Sequence, residues 1–119
     1  MKIHREETMP FYMLQGRYTT ASIKALVQKP EDRSKAAAAV VEANGGKLHS
    51  FFMSLGEYDF VVISEFPGDD AAAALAMTVG AAGVATDLKT TKLLTPDMVH
   101  KAMTSARAAG KSYSAPKGS

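Results

Sequence analysis

The sequence contains no cysteine in its 119 residues. That excludes a disulfide framework, a thiolate-bound zinc or iron–sulfur cluster and a cysteine nucleophile, and it fits a reducing compartment. Charge of one sign is also scarce. Fourteen basic residues against twelve acidic ones leave a net charge of +2, too little to announce a nucleic-acid partner. Long hydrophobic runs are missing as well: the longest is Ala71 to Met77, far short of the roughly 20 residues of a membrane span and without the flanking pattern of a signal peptide. The expectation is a soluble, cytoplasmic, single-domain protein, with 46% hydrophobic residues to build one core.

Residues 1–10 hold Lys2, Arg5, Glu6 and Glu7 with few sizeable apolar groups, which reads as a flexible leader. Residues 104–119 mix Ala, Ser, Gly, Lys and Pro without an acidic residue, which reads as a frayed helix end and a flexible basic tail. The domain between them spans residues 11–103. Phe11 to Tyr18 is aromatic and branched and stops at Thr19-Thr20, a strand running into a helix cap. Ala21 to Val27 sets Ile23, Leu26 and Val27 on one helical face, and Pro30 breaks that path. A second helix over Glu31 to Ala43 would bury Ala36, Ala39, Val40 and Ala43 and end at Asn44-Gly45-Gly46.

Lys47 to Leu55 and Asp59 to Phe66 both favour strand, and the glycine-containing link between them has hairpin length. Pro67 to Asp70 leads into an alanine-rich helix over Ala71 to Ala82, whose small side chains imply a close helix–sheet approach. Ala85 to Thr95 shows the two-residue period of a strand, and Pro96-Asp97 opens a terminal helix through Met103. This order predicts an α+β fold of the split βαβ, ferredoxin-like kind, with a four-stranded antiparallel sheet in the order 4-1-3-2 and helices on one face. Strands one and three are apolar on both sides. Tyr12, Leu14 and Tyr18 stand opposite Phe11 and Met13, and Phe60, Val62 and Phe66 stand opposite Val61 and Ile63. One set would meet the helices and the other would need cover, so self-association as a homodimer or higher homo-oligomer is expected.

Leu55 to Pro67 reads LGEYDFVVISEFP, with Gly56-Glu57-Tyr58-Asp59 at the hairpin. Together with FYMLQGRYTTASIK (Phe11 to Lys24), KPEDR (Lys29 to Arg33) and GGKLHSFFMSLG (Gly45 to Gly56), it resembles the GYD-domain family, named for a Gly-Tyr-Asp signature. Ser22 stands where the family usually has glycine. The resemblance implies a ferredoxin-like fold assembled into oligomers of the α/β-barrel type, and it carries no catalytic residues with it.

The candidate site residues follow from their chemistry. Glu65 is an acid in an otherwise apolar strand; it must face solvent, take a basic partner such as Lys89 or Lys92, or occupy a cavity as an acid/base group. His49 is the second acid/base candidate. Glu57 and Asp59 could hold a cation or simply serve the turn. Tyr58 could offer its hydroxyl to a ligand or its ring to a subunit contact. Tyr12, Gln15 and Tyr18 on strand one, Ser50 and Ser54 on strand two, and Arg17 combine polar groups with an aromatic sheet, the make-up of a small-molecule pocket or of subunit hydrogen bonds.

His4, His49 and His100 do not cluster, so no metal is expected. A single His could serve a haem, as in some related barrel folds, but lone histidines are more often structural, and no cofactor is expected. The sparse basic tail lacks interleaved aromatics, so nucleic acid is not an expected partner. The leading expectation is a homo-oligomeric small-molecule-binding or assembly module. The alternative is a cofactor-independent enzyme of the oxygenase or isomerase type, its site between sheet and partner subunit, using Glu65, His49 and Tyr12 or Tyr18. Convergence of those side chains discriminates the two.

Overall fold

The computed structural model describes residues 9–118; most of the segment read as a leader lies outside them. The elements run β1 (Phe11–Tyr18), α1 (Thr20–Gln28), α2 (Ser34–Ala43), β2 (Lys47–Met53), β3 (Phe60–Glu65), α3 (Asp69–Ala81), β4 (Ala85–Leu93) and α4 (Pro96–Ala109), closed by a 3-10 turn at Gly110–Ser112. The four strands form one antiparallel sheet in the order β2-β3-β1-β4. This is the split βαβ order expected from the sequence, read from the other edge.

Helix starts follow local chemistry. The Thr19 hydroxyl accepts the Ser22 N–H at α1, and the Thr95 hydroxyl accepts the Met98 N–H at α4, where Pro96 occupies the first turn. Ser22 lies in that first helical turn, a conformation that needs no glycine. The second helix begins at Ser34 rather than Glu31, because the Asp32 carboxylate receives both the N–H and the hydroxyl of Ser34. Its buried side is rotated from the expected one. Val41 is fully buried, whereas Ala36, Ala39 and Ala43 are exposed. Helix α4 runs six residues beyond Met103, carried by Ala106, Ala108 and Ala109, strong helix formers, with Arg107 at the favourable end of the dipole.

The helices take the even-numbered face of β1 and β3. Tyr12, Leu14, Phe60, Val62 and Phe66 join Val41, Ala72, Leu75 and Ala85 in the core. The buried Ser64 hydroxyl has no hydrogen-bond partner among the described residues. Two register shifts set the remaining side chains. An extra residue at His49 in β2 places Ser50 opposite Ile63 and Phe51 opposite Val62, which turns Phe51 toward the helices. A second shift, between Gln15 and Arg17 on β1, accommodates Asp87 on β4 at a φ of 52°, a backbone region Asp tolerates better than most residues. Gly16 suits the position beside it, since a Cβ there would meet Leu88 Cδ2 at 2.7 Å and Phe60 Cζ at 2.8 Å and both side chains would have to shift.

Two apolar surfaces are only partly covered by the described residues. The outer sheet face presents Phe11, Met13, Val61, Ile63 and Leu93, with Phe52 63% exposed. Helix α1 buries no residue, and Val27 on its apolar side is 74% exposed. The chain measures 61 × 45 × 21 Å with a radius of gyration of 18.5 Å, well above the roughly 13.5 Å of a compact chain of this length. Helix α4 is exposed along nearly all its length.

Candidate functional site

The candidate residues fall into three groups. On the outer sheet face, β3 carries Glu65 opposite Phe11 and Lys47, and the extra residue in β2 brings His49 beside it. His49 Nε2 lies 4.0 Å from Glu65 Oε2, and its ring meets the Phe11 ring edge-on at 5.1 Å. Gln15 and Ser50 share this face, Gln15 between Val61 and Lys89 and Ser50 opposite Ile63. Glu65 therefore takes His49 as its neighbour rather than Lys89 or Lys92. Lys92 points to the helix side and binds Asp69 at 3.1 Å.

The second group is the hairpin end. Asp59 Oδ2 accepts the Tyr18 N–H at 2.8 Å, the Asp59 N–H donates to the Gly16 carbonyl at 2.8 Å, and the Ser54 N–H donates to the Asp59 carbonyl at 2.8 Å. The Ser54 hydroxyl donates to the Tyr58 carbonyl at 2.7 Å. Arg17 clamps the same loop, with Nε donating to the Glu57 carbonyl at 2.6 Å, Nη1 on Asp87 at 3.0 Å, and its guanidinium 5.6 Å from the centre of the Tyr58 ring. The Glu57 carboxylate is 3.9 Å from Arg17. The two loop carboxylates thus point to separate partners on β1. Among the described residues, no group of three His, Asp or Glu could hold a metal ion.

The third group, on the helix side, holds Tyr12 and Tyr18, separated by the sheet from Glu65 and His49. The Tyr12 hydroxyl donates to Asp69 Oδ1 at 2.5 Å in the first turn of α3, with Lys92 Nζ on the same oxygen. Burial, and then the Asp69 carboxylate, raise the Tyr12 pKa from 10.0 to about 12. The same hydroxyl, followed by Lys92, lowers that of Asp69. A phenol held this firmly protonated is a poor acid/base group at neutral pH.

Because Tyr12 loses its proton more readily unfolded than folded, its contribution to stability is complete below about pH 10 and fades as pH rises through about 12. The Asp69 contribution runs the other way: it is present above the ordinary Asp range and lost on acidification. We therefore expect Tyr12→Phe to melt below the wild type at pH 7, and the gap to hold up to about pH 10 and narrow as pH rises from there towards 12. Melts followed by circular dichroism across that range check it; a gap independent of pH would show that the hydroxyl is not held this way.

Two features escaped sequence reasoning. One is the role of Arg17 as a clamp on three loop partners, which its place in a strand does not announce. The other is a cavity of about 190 Å³ between the sheet and helices α2 and α3, lined by apolar side chains with Tyr18 and Arg33. The signal for Arg33 lies in the segment KPEDR, one of the stretches that carry the family resemblance.

Sheet order, layers and hairpin geometry define an α+β domain with a four-stranded antiparallel sheet and four α-helices. The chain belongs to the GYD domain family, whose model matches residues 12–103. Among curated proteins the sequence finds no match. Among solved structures, a transcriptional regulator of Neisseria meningitidis in complex with L-Met is similar at 17% identity and a TM-score of 0.48, over 73% of this chain. That match takes in 51% of the regulator, so the chain spans about half its length. Among the described residues, no helix is long and apolar enough to cross a membrane.

Proposed function

We propose that this GYD-domain protein is a self-associating small-molecule-binding module, in which a second copy covers the outer sheet face. The observation that carries the reading is the row Phe11, Met13, Val61, Ile63, Phe52 and Leu93 on the side of the sheet away from the helices, which the described residues leave half-buried or, at Phe52, exposed. Monomers seldom leave such a patch bare. A second copy is the occupant that suits it, because the face carries both signs of charge, with Glu65 among Lys47 and Lys89. A two-fold contact can set each acid against a base.

Four strands at about 4.8 Å by six residues at about 3.3 Å give roughly 400 Å². A standard interface uses about 800 Å² per partner. Helix α4, with Met98, Met103 and the following Tyr113 exposed, extends from the body and supplies the missing area in this arrangement.

The test is size-exclusion chromatography with light scattering, at about 50 µM, on the wild type and on Ile63→Lys. We expect a closed oligomer for the wild type and a monomer for the variant, with unchanged far-ultraviolet circular dichroism. A wild-type monomer under these conditions overturns the reading. The alternative, a cofactor-independent enzyme, draws on one observation, the 4.0 Å approach of His49 to Glu65. Tyr12 and Tyr18 stand outside that pair, which favours the binding module.

A further inference from the structure

The cavity between α2 and α3 has a bias of chemistry that narrows its ligand. Its floor is apolar, formed by Leu14, Phe51 and Val62 of the sheet, and its walls are two alanine-rich helices, with Ala37 and Val40 on one side and Leu75 and Val79 on the other. At about 190 Å³ it exceeds the roughly 150 Å³ known to hold a benzene ring. The helices do not close over it because alanine faces leave the space that larger side chains would fill.

The polar equipment of this apolar space is one-sided. Arg33, 30% exposed in its side chain, marks the end open to solvent. Among the described residues its carboxylate partner is Glu31, reached through Nη1 at 3.0 Å, which leaves most of a five-donor fork. Beside it stands the Tyr18 hydroxyl, whose acceptor is the soft Met53 sulfur at 3.6 Å. Burial raises the pKa of this phenol, and the neighbouring Arg33 works against that rise, so the hydroxyl stays a donor at neutral pH. The Thr78 hydroxyl, also on the wall, is spent on the Ala74 carbonyl at 2.7 Å. Two donors at the edge of an apolar hollow call for an anion with an apolar body, and the planar guanidinium matches a carboxylate best.

We propose that the cavity between α2 and α3 binds a small apolar carboxylate, its ring or branched chain between the helices and its carboxylate on Arg33 and the Tyr18 hydroxyl. The proposal rests on the reading of the chain as a small-molecule-binding module and names the class of ligand. It uses the side of the sheet opposite the self-association face, so the two stand or fall separately.

Titration calorimetry with phenylacetate, and with its neutral isostere phenylacetamide, tests it on the full chain. We expect phenylacetate to bind with a Kd on the order of 0.1–1 mM, within reach of a ten-atom ligand, and the amide at least about tenfold more weakly. Arg33→Gln removes the preference so that acid and amide bind alike, and methyl resonances of Val40, Val79 and Leu75 shift on titration of the wild type. Equal affinity of acid and amide for the wild type overturns the carboxylate while leaving a binding cavity. Absence of binding by both up to about 10 mM, or shifts confined to the outer sheet face, overturns the cavity as a ligand site. An unchanged oligomer in that event leaves the assembly half of the functional reading intact.

Discussion

Replacing Asp59 by alanine is expected to lower the melting temperature by on the order of 10 °C, a loss of about 2 kcal/mol in a domain of this size. Asp59 is where β1 and the hairpin of β2 and β3 are tied together. Its carboxylate receives the Tyr18 N–H at 2.8 Å just past the last residue of β1 paired with β3, Gly16, so the side chain continues the ladder that the backbone has left. Hydrogen bonds to charged groups contribute about 1.5–3 kcal/mol, and removing the acceptor leaves a half-buried N–H without its partner. Asp59→Asn keeps an oxygen in place and is expected to lose about half as much.

Glu57 is the control within the same signature. Its carboxylate is 72% exposed and 3.9 Å from Arg17, whereas the bond that matters runs from Arg17 to the Glu57 backbone carbonyl. Glu57→Ala should therefore stay within about 0.5 kcal/mol. Thermal melts of the three variants check the set. Equal losses at 57 and 59 would show that the loop acts through charge and not through the bond to Tyr18.

The second large effect is expected at Gly46. A Cβ on this residue would stand 2.5 Å from the Glu65 carbonyl and 2.5 Å from two carbons of the Phe66 ring, which is fully buried. Neither neighbour can yield, one being strand backbone and the other the centre of the core. Gly46→Ala is expected to cost about 3 kcal/mol or more, at the upper end of overpacking.

Gly45 beside it has a φ of 82° and only a proline carbon 4.0 Å away from such a Cβ. Gly45→Ala meets conformational strain alone, about 1 kcal/mol. Urea denaturation of both variants decides between the two causes. The opposite ranking would place the constraint in the left-handed helix end and not in the contact with β3.

Much of the architecture was legible in the chain because it is written between near neighbours. The alternation in Phe11–Tyr18 and Phe60–Glu65, the caps at Thr19 and Thr95, and the glycines after Ala43 each act over a few residues. Element order and strand order follow from these with little freedom left. The Gly-Tyr-Asp signature was equally visible as a motif, but its purpose was not. Asp59 bonds to Tyr18, 41 positions earlier, and nothing in the local spacing names that partner.

The sequence by itself determined the order of strands and helices, and that both faces of β1 and β3 are apolar. Only the tertiary structure decided which face the helices take. Alternation labels two sides of a strand without ranking them, and the ranking depends on where Val41, Ala72 and Leu75 can reach. It also decided that His49 meets Glu65 while Tyr12 and Tyr18 lie across the sheet, since β1 pairs with β3 so that Phe11 stands beside Glu65 and Tyr12 beside the buried Ser64. The cavity beside Arg33 belongs to the same class: its volume is the space that two alanine-rich helices, far apart in the chain, leave between them over the sheet. Such a space is a property of distances between elements, for which no local pattern in a sequence stands.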